Sequence, residues 1–454
     1  MAPITITALV IFAITYVLML VSQKFRPYIT VTSAIIFVIL GLTAQFSGSD
    51  FFSLGGGEMF SYGFLPALSE IDWNVIMMIA GTMGTVYLFI ESKMPQLMSD
   101  ILISKMPNVK WIIVSLSLFA GIVSAFVDNV ATVIMIAPVA LAFCKKINIS
   151  PVPSIICIAV SSNLQGAATL VGDTTSILLA KEADLDFSDF FIDRGKPGMF
   201  WVVEAGAVVS AFIILFMFRK EKKKIEINTR TKVEDKFPTF LLAGTVIALI
   251  AVSFIPYKDN ADGGFYKPEI TNGIICIGFF LVGVIRELLI KKNKNIVKNA
   301  FKEIDYYTIV LLTGLFVVIG GIKNAGVIDV IGQAIAKLGA GSPFLIFTII
   351  VWMSVLLSAV IDNIPYTATM LSIVPVIAGD IGIEPTLLYY GLLCGATLGG
   401  NLTPIGASAN IAGIGILRKE GYEVKAKTFM KYGVPFTLAA VITGYTLLWF
   451  IWKP

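Results

Sequence analysis

Two Asp-Asn pairs lie within apolar stretches of the chain, where charged side chains are costly. The pairs Asp128-Asn129 and Asp362-Asn363 fall at the turns of two predicted hairpins, 110–144 and 343–378. An ionised Asp at the middle of a bilayer costs about 2.5–3.5 kcal/mol on insertion scales, so it usually marks an ion site or a pathway. Asp and Asn are also good N-cap residues, so each pair can cap the second arm of its hairpin.

Each hairpin is followed by an apolar stretch that Gly, Thr, Pro and Asn interrupt, at 152–180 and 386–410. Such breaks occur at membrane depth only where they line a cavity or pack in protein. Unwound carbonyls and side-chain oxygens suit a hard cation such as sodium, whereas half-helix N-termini suit an anion. Close helix packing explains some of the glycines. The predicted substrate or ion contacts are Asp128, Asn129, Thr132, Asn163, Gly172, Asp173, Thr174, Thr175, Asp362, Asn363, Thr367, Asn401, Thr403, Gly406, Ser408 and Asn410.

The three aspartates of this set favour a cation. Asp128, Asp173 and Asp362 have no Lys or Arg near them in the apolar sequence, so sodium or a proton is the expected coupling ion. Asp173 also differs from the rest, because the residue that answers it 234 positions later is Ala407. Helix packing does not explain a carboxylate at that position.

The composition defines the class of protein that must position these residues. Hydrophobic residues make up 57% of the chain and charged residues 14%, against roughly 25% charged in soluble domains. The mean hydropathy is +0.86. The chain has no His, and its four Cys form no CxxC motif, which argues against a zinc site, a haem or catalysis through His. We therefore expect an all-α polytopic membrane protein that is not an enzyme, has no cofactor and binds no nucleic acid.

The chain is an internal duplication. Asp128 and Asp362 are 234 residues apart, as are Gly172 and Gly406, and Glu70-Ile71-Asp72-Trp73 answers Glu303-Ile304-Asp305-Tyr306. Predicted membrane crossings at 152–180, 197–218, 238–257, 268–290 and 304–325 separate the two hairpins. Five is an odd number, so the halves 1–230 and 231–454 are predicted to be inverted. Inverted repeats that meet at broken helices are typical of secondary transporters.

Lys and Arg orient the predicted crossings, because they are enriched in cytoplasmic loops. With the loop 219–236 in the cytoplasm, alternation places most of the 34 Lys and Arg on the same side. The loop 47–69 contains none and falls outside. Both termini are predicted to be non-cytoplasmic, in a multi-pass protein of the plasma membrane. The other loops predicted to be cytoplasmic are 24–26, 93–110, 145–146, 286–302 and 418–431. Short interfacial helices are predicted at 92–108 and 326–341.

The motifs at these positions resemble the ion transporter superfamily, in the branch of arsenite permeases, NhaD-type sodium/proton antiporters and the melanosomal P protein. The matching stretches are DNVAT at 128–132, GAATLVGDTTS at 166–176, DNIPYTATM at 362–370 and LGGNLTPIGASAN at 398–410. Related dicarboxylate/sodium symporters carry Ser-Asn-Thr at both tips. Asp128 and Asp362 replace that Ser here, which argues against a dicarboxylate substrate. The resemblance implies a homodimer and an elevator-type mechanism.

Three functions remain open from the sequence. The first is an ion-coupled secondary transporter, symporter or antiporter, with Asp128, Asp173 and Asp362 binding sodium or protons. The second is a permease or channel-like carrier for an anion, an arsenite-like oxyanion or a carboxylate, in which the carboxylates only cap helices. The third is the membrane subunit of an ATP-driven efflux pump, whose ATPase would be a separate protein because the chain has no Gly-rich phosphate-binding loop.

Overall fold

The structure is a computed structural model that describes residues 1–47, 49–55, 58–221, 223, 230–233, 235–256 and 266–454. It is nearly all-helical, and each half of the described chain contributes ten α-helices. The helices of the first half are α1 (Pro3–Val21), α2 (Arg26–Ser47), α3 (Phe64–Ser69), α4 (Trp73–Glu91), α5 (Met94–Lys105), α6 (Val109–Ser124), α7 (Asn129–Lys146), α8 (Val152–Gly166), α9 (Thr174–Glu182) and α10 (Met199–Met217).

The second half repeats this order. Its helices are α11 (Phe237–Ser253), α12 (Thr271–Leu289), α13 (Lys294–Lys302), α14 (Tyr306–Asn324), α15 (Val327–Leu338), α16 (Pro343–Ser358), α17 (Asn363–Ile381), α18 (Thr386–Gly399), α19 (Ser408–Lys419) and α20 (Ala426–Trp452). Two small antiparallel pairs join β1 (Ser53–Gly55) to β2 (Glu58–Met59) and β3 (Ile192–Asp193) to β4 (Lys196–Pro197). Short 3₁₀ turns lie at Gln23–Phe25, Asp50–Phe52, Phe187–Phe190 and Gly400–Leu402.

The predicted fold class is confirmed: the chain is an all-α polytopic membrane protein with two inverted repeats, each containing a hairpin and a broken helix. Nine helices in the described part of the chain are long and apolar enough to cross a membrane. The first hairpin is α6–α7, and the second is α16–α17. The broken helices are α8–α9 and α18–α19. The second broken helix continues to Lys419, beyond its predicted end at 410, and the helices α3 and α13 were not predicted.

The helices α2, α4, α12 and α14 form a tightly packed frame. Pairs α2–α14 and α4–α12 approach closely because a glycine lies at each contact. A Cβ on Gly314 would lie 2.8 Å from the Thr30 carbonyl carbon, and one on Gly81 would lie 2.4 Å from that of Cys276. The two hairpins and the two broken helices, which we call the hairpin–break module, pack together through α6–α8, α16–α18, α7–α19 and α9–α17.

Loops that the sequence placed on one side of the membrane lie on one face of the structure. Lys145 forms an ion pair with Glu420, and the Thr231 amide donates to Asp100 Oδ2 at 2.8 Å. Arg286 Nη1 lies 2.7 Å from Asp235 Oδ2. We call this the basic face. Residues 222, 224–229 and 234 of the 219–236 loop lie outside the described residues.

The opposite face carries both chain ends. The Thr5 hydroxyl donates to the Ala325 carbonyl at 2.8 Å, and the Trp452 indole donates to the Pro197 carbonyl at 3.2 Å. The two interfacial helices lie on different faces, with α5 beside the 219–236 loop and α15 at the face of the chain ends. The axes of α15 and α16 differ by 116°. The assignment of the basic face to the cytoplasm remains a prediction.

Candidate functional site

The breaks in α8–α9 and α18–α19 are pinned against the hairpins in the same way in both halves. A Cβ on Gly172 would lie 2.5 Å from the Gly166 carbonyl oxygen and 2.6 Å from that of Ser124. A Cβ on Gly406 would lie 2.5 Å from the Gly400 oxygen and 2.8 Å from that of Ser358. Only glycine permits this backbone approach. Each break is therefore held at the end of the first hairpin arm.

The tip aspartates cap the second hairpin arms. Asp128 Oδ1 accepts the amides of Val130 and Ala131, both at 3.0 Å, at the start of α7. Asp362 Oδ1 accepts the Ile364 amide at 3.2 Å, at the start of α17. A capping Asp at a helix N-terminus satisfies amides that have no partner within the helix. The N-cap role of both aspartates is thus observed, and it leaves one carboxylate oxygen of each for a second partner.

A cavity of about 420 Å³ joins both tips to both breaks. Six of the predicted site residues line it: Asp128, Asn129, Asp173, Thr174, Asn363 and Ser408. Its remaining lining residues come from the frame, from both hairpins and from the turn between α13 and α14, and they are Met83, Val86, Tyr87, Ile90, Glu91, Val130, Ala131, Ile134, Glu303, Asp305, Thr308 and Ile364. The cavity therefore brings together residues from both halves, as the sequence predicted.

Asp173 lies at the junction of the halves. Its side chain is buried, and Oδ2 accepts the Thr175 hydroxyl at 2.8 Å. Asn363 Nδ2, from the second hairpin tip, lies 3.5 Å from the same oxygen. The Thr175 hydroxyl is also 3.0 Å from the Thr397 hydroxyl on α18. Asp173 does not cap α9 with its side chain, so its carboxylate faces the cavity between the halves.

A second chain of hydrogen bonds crosses between the halves. Asn129 Nδ2 at the first tip donates to Asn163 Oδ1 at 3.1 Å. Asn163 Nδ2 then donates to the Thr397 carbonyl at 2.7 Å. Asn163 and Thr397 are themselves 234 residues apart, so this bond lies at the centre of the duplication. Asn163 is fully buried and acts as a support of the first tip.

Asp362 differs from Asp128 in its charge environment. Its Oδ2 lies 2.8 Å from Arg26 Nη1, in an ion pair that is largely buried. In the sequence analysis, Arg26 belongs to the predicted cytoplasmic loop 24–26, and Asp362 is predicted as a cation ligand with no Lys or Arg near it in the sequence. The structure corrects this, because the turn before α2 folds against the second tip and brings a residue 336 positions away into contact.

The other predicted site residues lie behind the cavity wall. Thr132 is 3.5 Å from the Val127 carbonyl, and the Thr403 hydroxyl donates to the Ala359 carbonyl at 2.5 Å. Asn401 Nδ2 donates to the Val160 carbonyl at 2.9 Å, whereas Asn410 Nδ2 donates to the carbonyls of Gly400 and Thr403. Thr367 is fully buried. None of these five residues lines the cavity, and the hydrogen bonds of Thr403, Asn401 and Asn410 hold the second break in place.

The three predicted sodium ligands do not form one cluster. Across the described residues, no group of three or more His, Cys, Asp or Glu side chains is arranged to hold a metal ion. Asp128 and Asp173 share the cavity, and Asp362 is bound to Arg26. A cation in this cavity would therefore draw on Asp128 and Asp173, with hydroxyl, amide and carbonyl oxygens completing its shell.

Three acidic residues of the cavity were missed from the sequence. Glu91 ends α4, and Glu303 and Asp305 precede α14. The Glu-Ile-Asp repeat, which matches Glu303 and Asp305 to Glu70 and Asp72, was the signal that could have identified two of them. The cavity wall holds five carboxylates, and none of its lining residues in the described part of the chain is a lysine or an arginine.

The cavity opens on the basic face, because Glu91 and Glu303 lie at the helix ends there. A separate cavity of about 460 Å³ on the opposite face is lined by Glu70, Asp72, Lys181 and Glu269, among others, and it does not reach the tips. One face therefore has access to the tips in this conformer, which is the geometry that alternating access requires. The fold and this site define a membrane transporter.

Comparison with known proteins identifies the family. Residues 10–395 match the citrate transporter family, and the chain belongs to it. This confirms the resemblance to the ion transporter superfamily. An uncharacterized transporter of Mycobacterium tuberculosis is 27% identical over 454 residues, covering 98% of each chain. The human P protein is 26% identical over 407 residues, which are 74% of this chain and 48% of that protein.

Two solved structures share the fold. The YdaH transporter of Alcanivorax borkumensis superposes with a TM-score of 0.60 at 15% identity, over 94% of this chain and 98% of that one. Neisseria gonorrhoeae MtrF, described as illuminating a class of antimetabolite efflux pumps, gives a TM-score of 0.57 at 14% identity, over 93% and 95%. Both are transporters.

Proposed function

We propose that the protein is a secondary active transporter coupled to a cation, sodium or a proton, which binds between Asp128 and Asp173. The observation that carries the proposal is the cavity where both tips and both breaks meet. Five carboxylates line it, and none of the described residues that line it is Lys or Arg. Asp173 is buried and Asp128 is half-buried, whereas Glu91 and Glu303 are exposed. A buried carboxylate without a counter-charge is costly, so a bound cation or proton is the natural compensation for Asp173.

Asp128 and Asp173 are suited to different parts of this role. One oxygen of Asp128 accepts hydrogen bonds from two amides of α7, and these bonds fix the orientation of its carboxylate at the tip. The Asp173 carboxylate accepts a hydrogen bond from Thr175 and lies near the Asn363 amide. Because Asn363 belongs to the second tip, the environment of Asp173 depends on the position of that tip. A cation at this junction would link the two halves. Hard cations favour such mixed sites of carboxylate, hydroxyl and amide oxygens.

The transport cycle would move the hairpin–break module relative to the frame. The glycine contacts of α2–α14 and α4–α12 make the frame rigid, whereas the two Gly-pinned breaks bind their hairpins as one unit. In the opposite conformer, the module would open its site to the face of the chain ends, as in an elevator. The homodimer is proposed on the resemblance to the superfamily, and the plasma-membrane location is proposed on the predicted multi-pass topology.

A carboxylate anion is the second candidate substrate. The family is named for citrate, which is a carboxylate anion. Helix α19 has Ala407 at its N-cap, so no side chain caps its N-terminus. Ser408, the first residue of α19, lines the cavity. An uncapped helix N-terminus attracts a negative charge. The five carboxylates repel such an anion, so it would enter only after a coupling cation has bound.

Transport by the purified protein in liposomes tests the proposal. The panel contains sodium, lithium, arsenite, chloride, citrate and dicarboxylates, each at several pH values. We expect transport driven by a sodium or proton gradient, and we expect Asp128→Asn and Asp173→Asn to abolish it or to shift its ion dependence. Asp380→Asn, an exposed residue on α17 outside the cavity, is the matched control and should behave as wild type.

Each outcome of this experiment has a distinct meaning. Asn caps a helix about as well as Asp, so the capping function of Asp128 survives the substitution. Normal sodium- or pH-dependent transport in both variants would refute the cation site. Anion flux that ignores both gradients would favour the permease, and flux that requires an added ATPase would favour the pump subunit.

A further inference from the structure

The ion pair between Arg26 and Asp362 connects two parts of the protein that the transport cycle would separate. Arg26 is the first residue of α2, in the frame, and Asp362 caps α17 at the tip of the second hairpin. Their side chains are 7% and 15% exposed, and Nη1 lies 2.8 Å from Oδ2. An ion pair that is buried to this degree is retained only where its geometry is well supported.

Both partners are held by further hydrogen bonds. Arg26 Nε donates to the Met19 carbonyl at 3.1 Å, which aims the guanidinium at the tip. Asp362 uses its other oxygen to accept the Ile364 amide. The Tyr307 hydroxyl donates to the Gln23 carbonyl and so fastens the turn before α2 to α14. The guanidinium is therefore presented by the frame itself and is not a mobile surface group.

A second contact from the same region reaches the same hairpin arm. Tyr16 on α1 donates its hydroxyl to the Pro365 carbonyl at 2.6 Å and is bonded to the Thr369 hydroxyl. Pro365 and Thr369 lie on the first two turns of α17. The carbonyl of residue 365 thus has a partner outside its helix, which fixes the tip region against α1.

Among the residues that the structure describes, no Lys or Arg is paired with Asp128 as Arg26 is with Asp362. The frame contacts Gly314–Thr30 and Gly81–Cys276 match α2 with α12, and this correspondence places Asn272 where Arg26 lies in the first half. Asn272 is buried and neutral. In the opposite conformer, the two inverted repeats would exchange their conformations. Asp128 would then approach the side-chain amide of Asn272, whereas Asp362 would separate from Arg26. The two tips therefore differ in charge although their sequences match.

We propose that Arg26 is a positioning residue that locks the second hairpin tip to α2 in the conformer open on the basic face, by acting as the counter-ion of Asp362. The lock rests on the proposed transport function, because it has to break when the module moves. Because Arg26 already balances the charge of Asp362, only Asp128 and Asp173 remain to bind the coupling cation. Arg26 thereby sets both the resting conformer and which carboxylates take part in coupling.

The test measures the conformer directly, without transport. Ile134 lines the cavity and is 51% exposed, and the four native cysteines are buried, so Ile134→Cys reports access from the basic face. A membrane-impermeant maleimide is applied from that face to protein in liposomes, with no ion gradient. We expect Arg26→Gln to shift the equilibrium between conformers, read from the labelling rate, by at least about tenfold, which corresponds to roughly 1.4 kcal/mol.

The double variant separates a lock from two independent effects. Arg26→Gln and Asp362→Asn each leave one buried charge without its partner, so each should slow labelling. The double variant should slow labelling by less than the summed effects of the two single variants, because the ion pair is already lost after the first substitution. Arg26→Lys should keep part of the lock. Lys145→Gln, which removes an exposed ion pair on the same face, should label as wild type.

Two results would overturn the lock: labelling of Arg26→Gln at the wild-type rate, or effects of the two single variants that simply add. Insertion and folding of every variant are checked by gel filtration and by the thermal unfolding midpoint. Failure of the lock is distinguishable from failure of the proposed function. The labelling assay requires no transported ion. Its result would therefore remain valid if the protein showed no cation-driven transport. Conversely, an unchanged labelling rate in Arg26→Gln would refute the lock even if transport were normal.

Discussion

Replacing the glycine of a break with alanine tests how the site is assembled. In Gly406→Ala the new methyl would lie 2.5 Å from the Gly400 oxygen, 2.8 Å from the Ser358 oxygen and 3.0 Å from the Ala359 oxygen. All three atoms belong to backbone, so none can rotate away. The break must move off the first hairpin arm, which we expect to cost about 1–3 kcal/mol as overpacking.

The same displacement strains a hydrogen bond of the tip. The Ala359 carbonyl accepts the Thr403 hydroxyl at 2.5 Å, and losing that bond adds about 1 kcal/mol. Gly172→Ala should behave alike, because its methyl meets the Gly166, Ser124 and Ala125 oxygens at 2.5–2.8 Å. Both variants should also lose transport, since the break positions Asp173 and Ser408 at the cavity.

The assay is thermal unfolding in detergent, with Gly415→Ala as the control. Gly415 lies on α19, where a Cβ would meet nothing within 4 Å. Alanine there should be neutral or stabilising by up to about 1 kcal/mol, through helix propensity. If Gly406→Ala and Gly172→Ala unfold at the same midpoint as Gly415→Ala and transport normally, the breaks are not pinned as the structure shows.

Three further predictions concern parts outside the cavity. Tyr390→Phe removes the hydrogen bond to buried Asp193 at 2.7 Å and should lower the free energy of unfolding by about 1.5–3 kcal/mol in denaturant titration, whereas an unchanged value would mean that the bond is absent. Burial alone would raise the pKa of Asp235, but hydrogen bonds from Arg286 and Lys291 lower it to about 2 from 3.8. Its stabilisation is therefore complete above pH 3.8 and is lost as the pH falls toward 2, so Asp235→Asn should lower the unfolding midpoint at neutral pH and differ less from wild type below about pH 4. Single cysteines replacing Glu420 and Arg194 should be labelled from opposite sides of the membrane, and labelling of both from one side would contradict the inverted topology.

The sequence was sufficient for features that repeat along the chain. The 234-residue offset, the odd number of crossings and the polar breaks predicted the inverted halves and six of the residues that line the cavity. These features depend on local pattern and on topology. Local pattern and topology can both be inferred from a single sequence when an internal duplication repeats them.

The contacts between distant segments could not be predicted in this way. Arg26 looked like one more basic residue of a loop, and only the fold shows that α2 brings it to Asp362. Asn163 was predicted as a ligand contact, but its two hydrogen bonds make it a support between Asn129 and Thr397. Side chains of the same type serve as ligand, cap or support according to their neighbours, and the neighbours are set by tertiary packing.

Direct measurement of cation binding tests the proposed coupling site most directly. The unfolding midpoint of the purified protein is titrated with sodium against choline, and with pH, in the absence of any other substrate. A cation that binds the folded state adds about 2.7 kcal/mol of stability at a hundred times its dissociation constant. We expect wild type to be stabilised by sodium or by a fall in pH, and Asp128→Asn and Asp173→Asn to lose that response while Asp380→Asn keeps it. A response that persists unchanged in both cavity variants, or none in wild type, would contradict a cation site between Asp128 and Asp173.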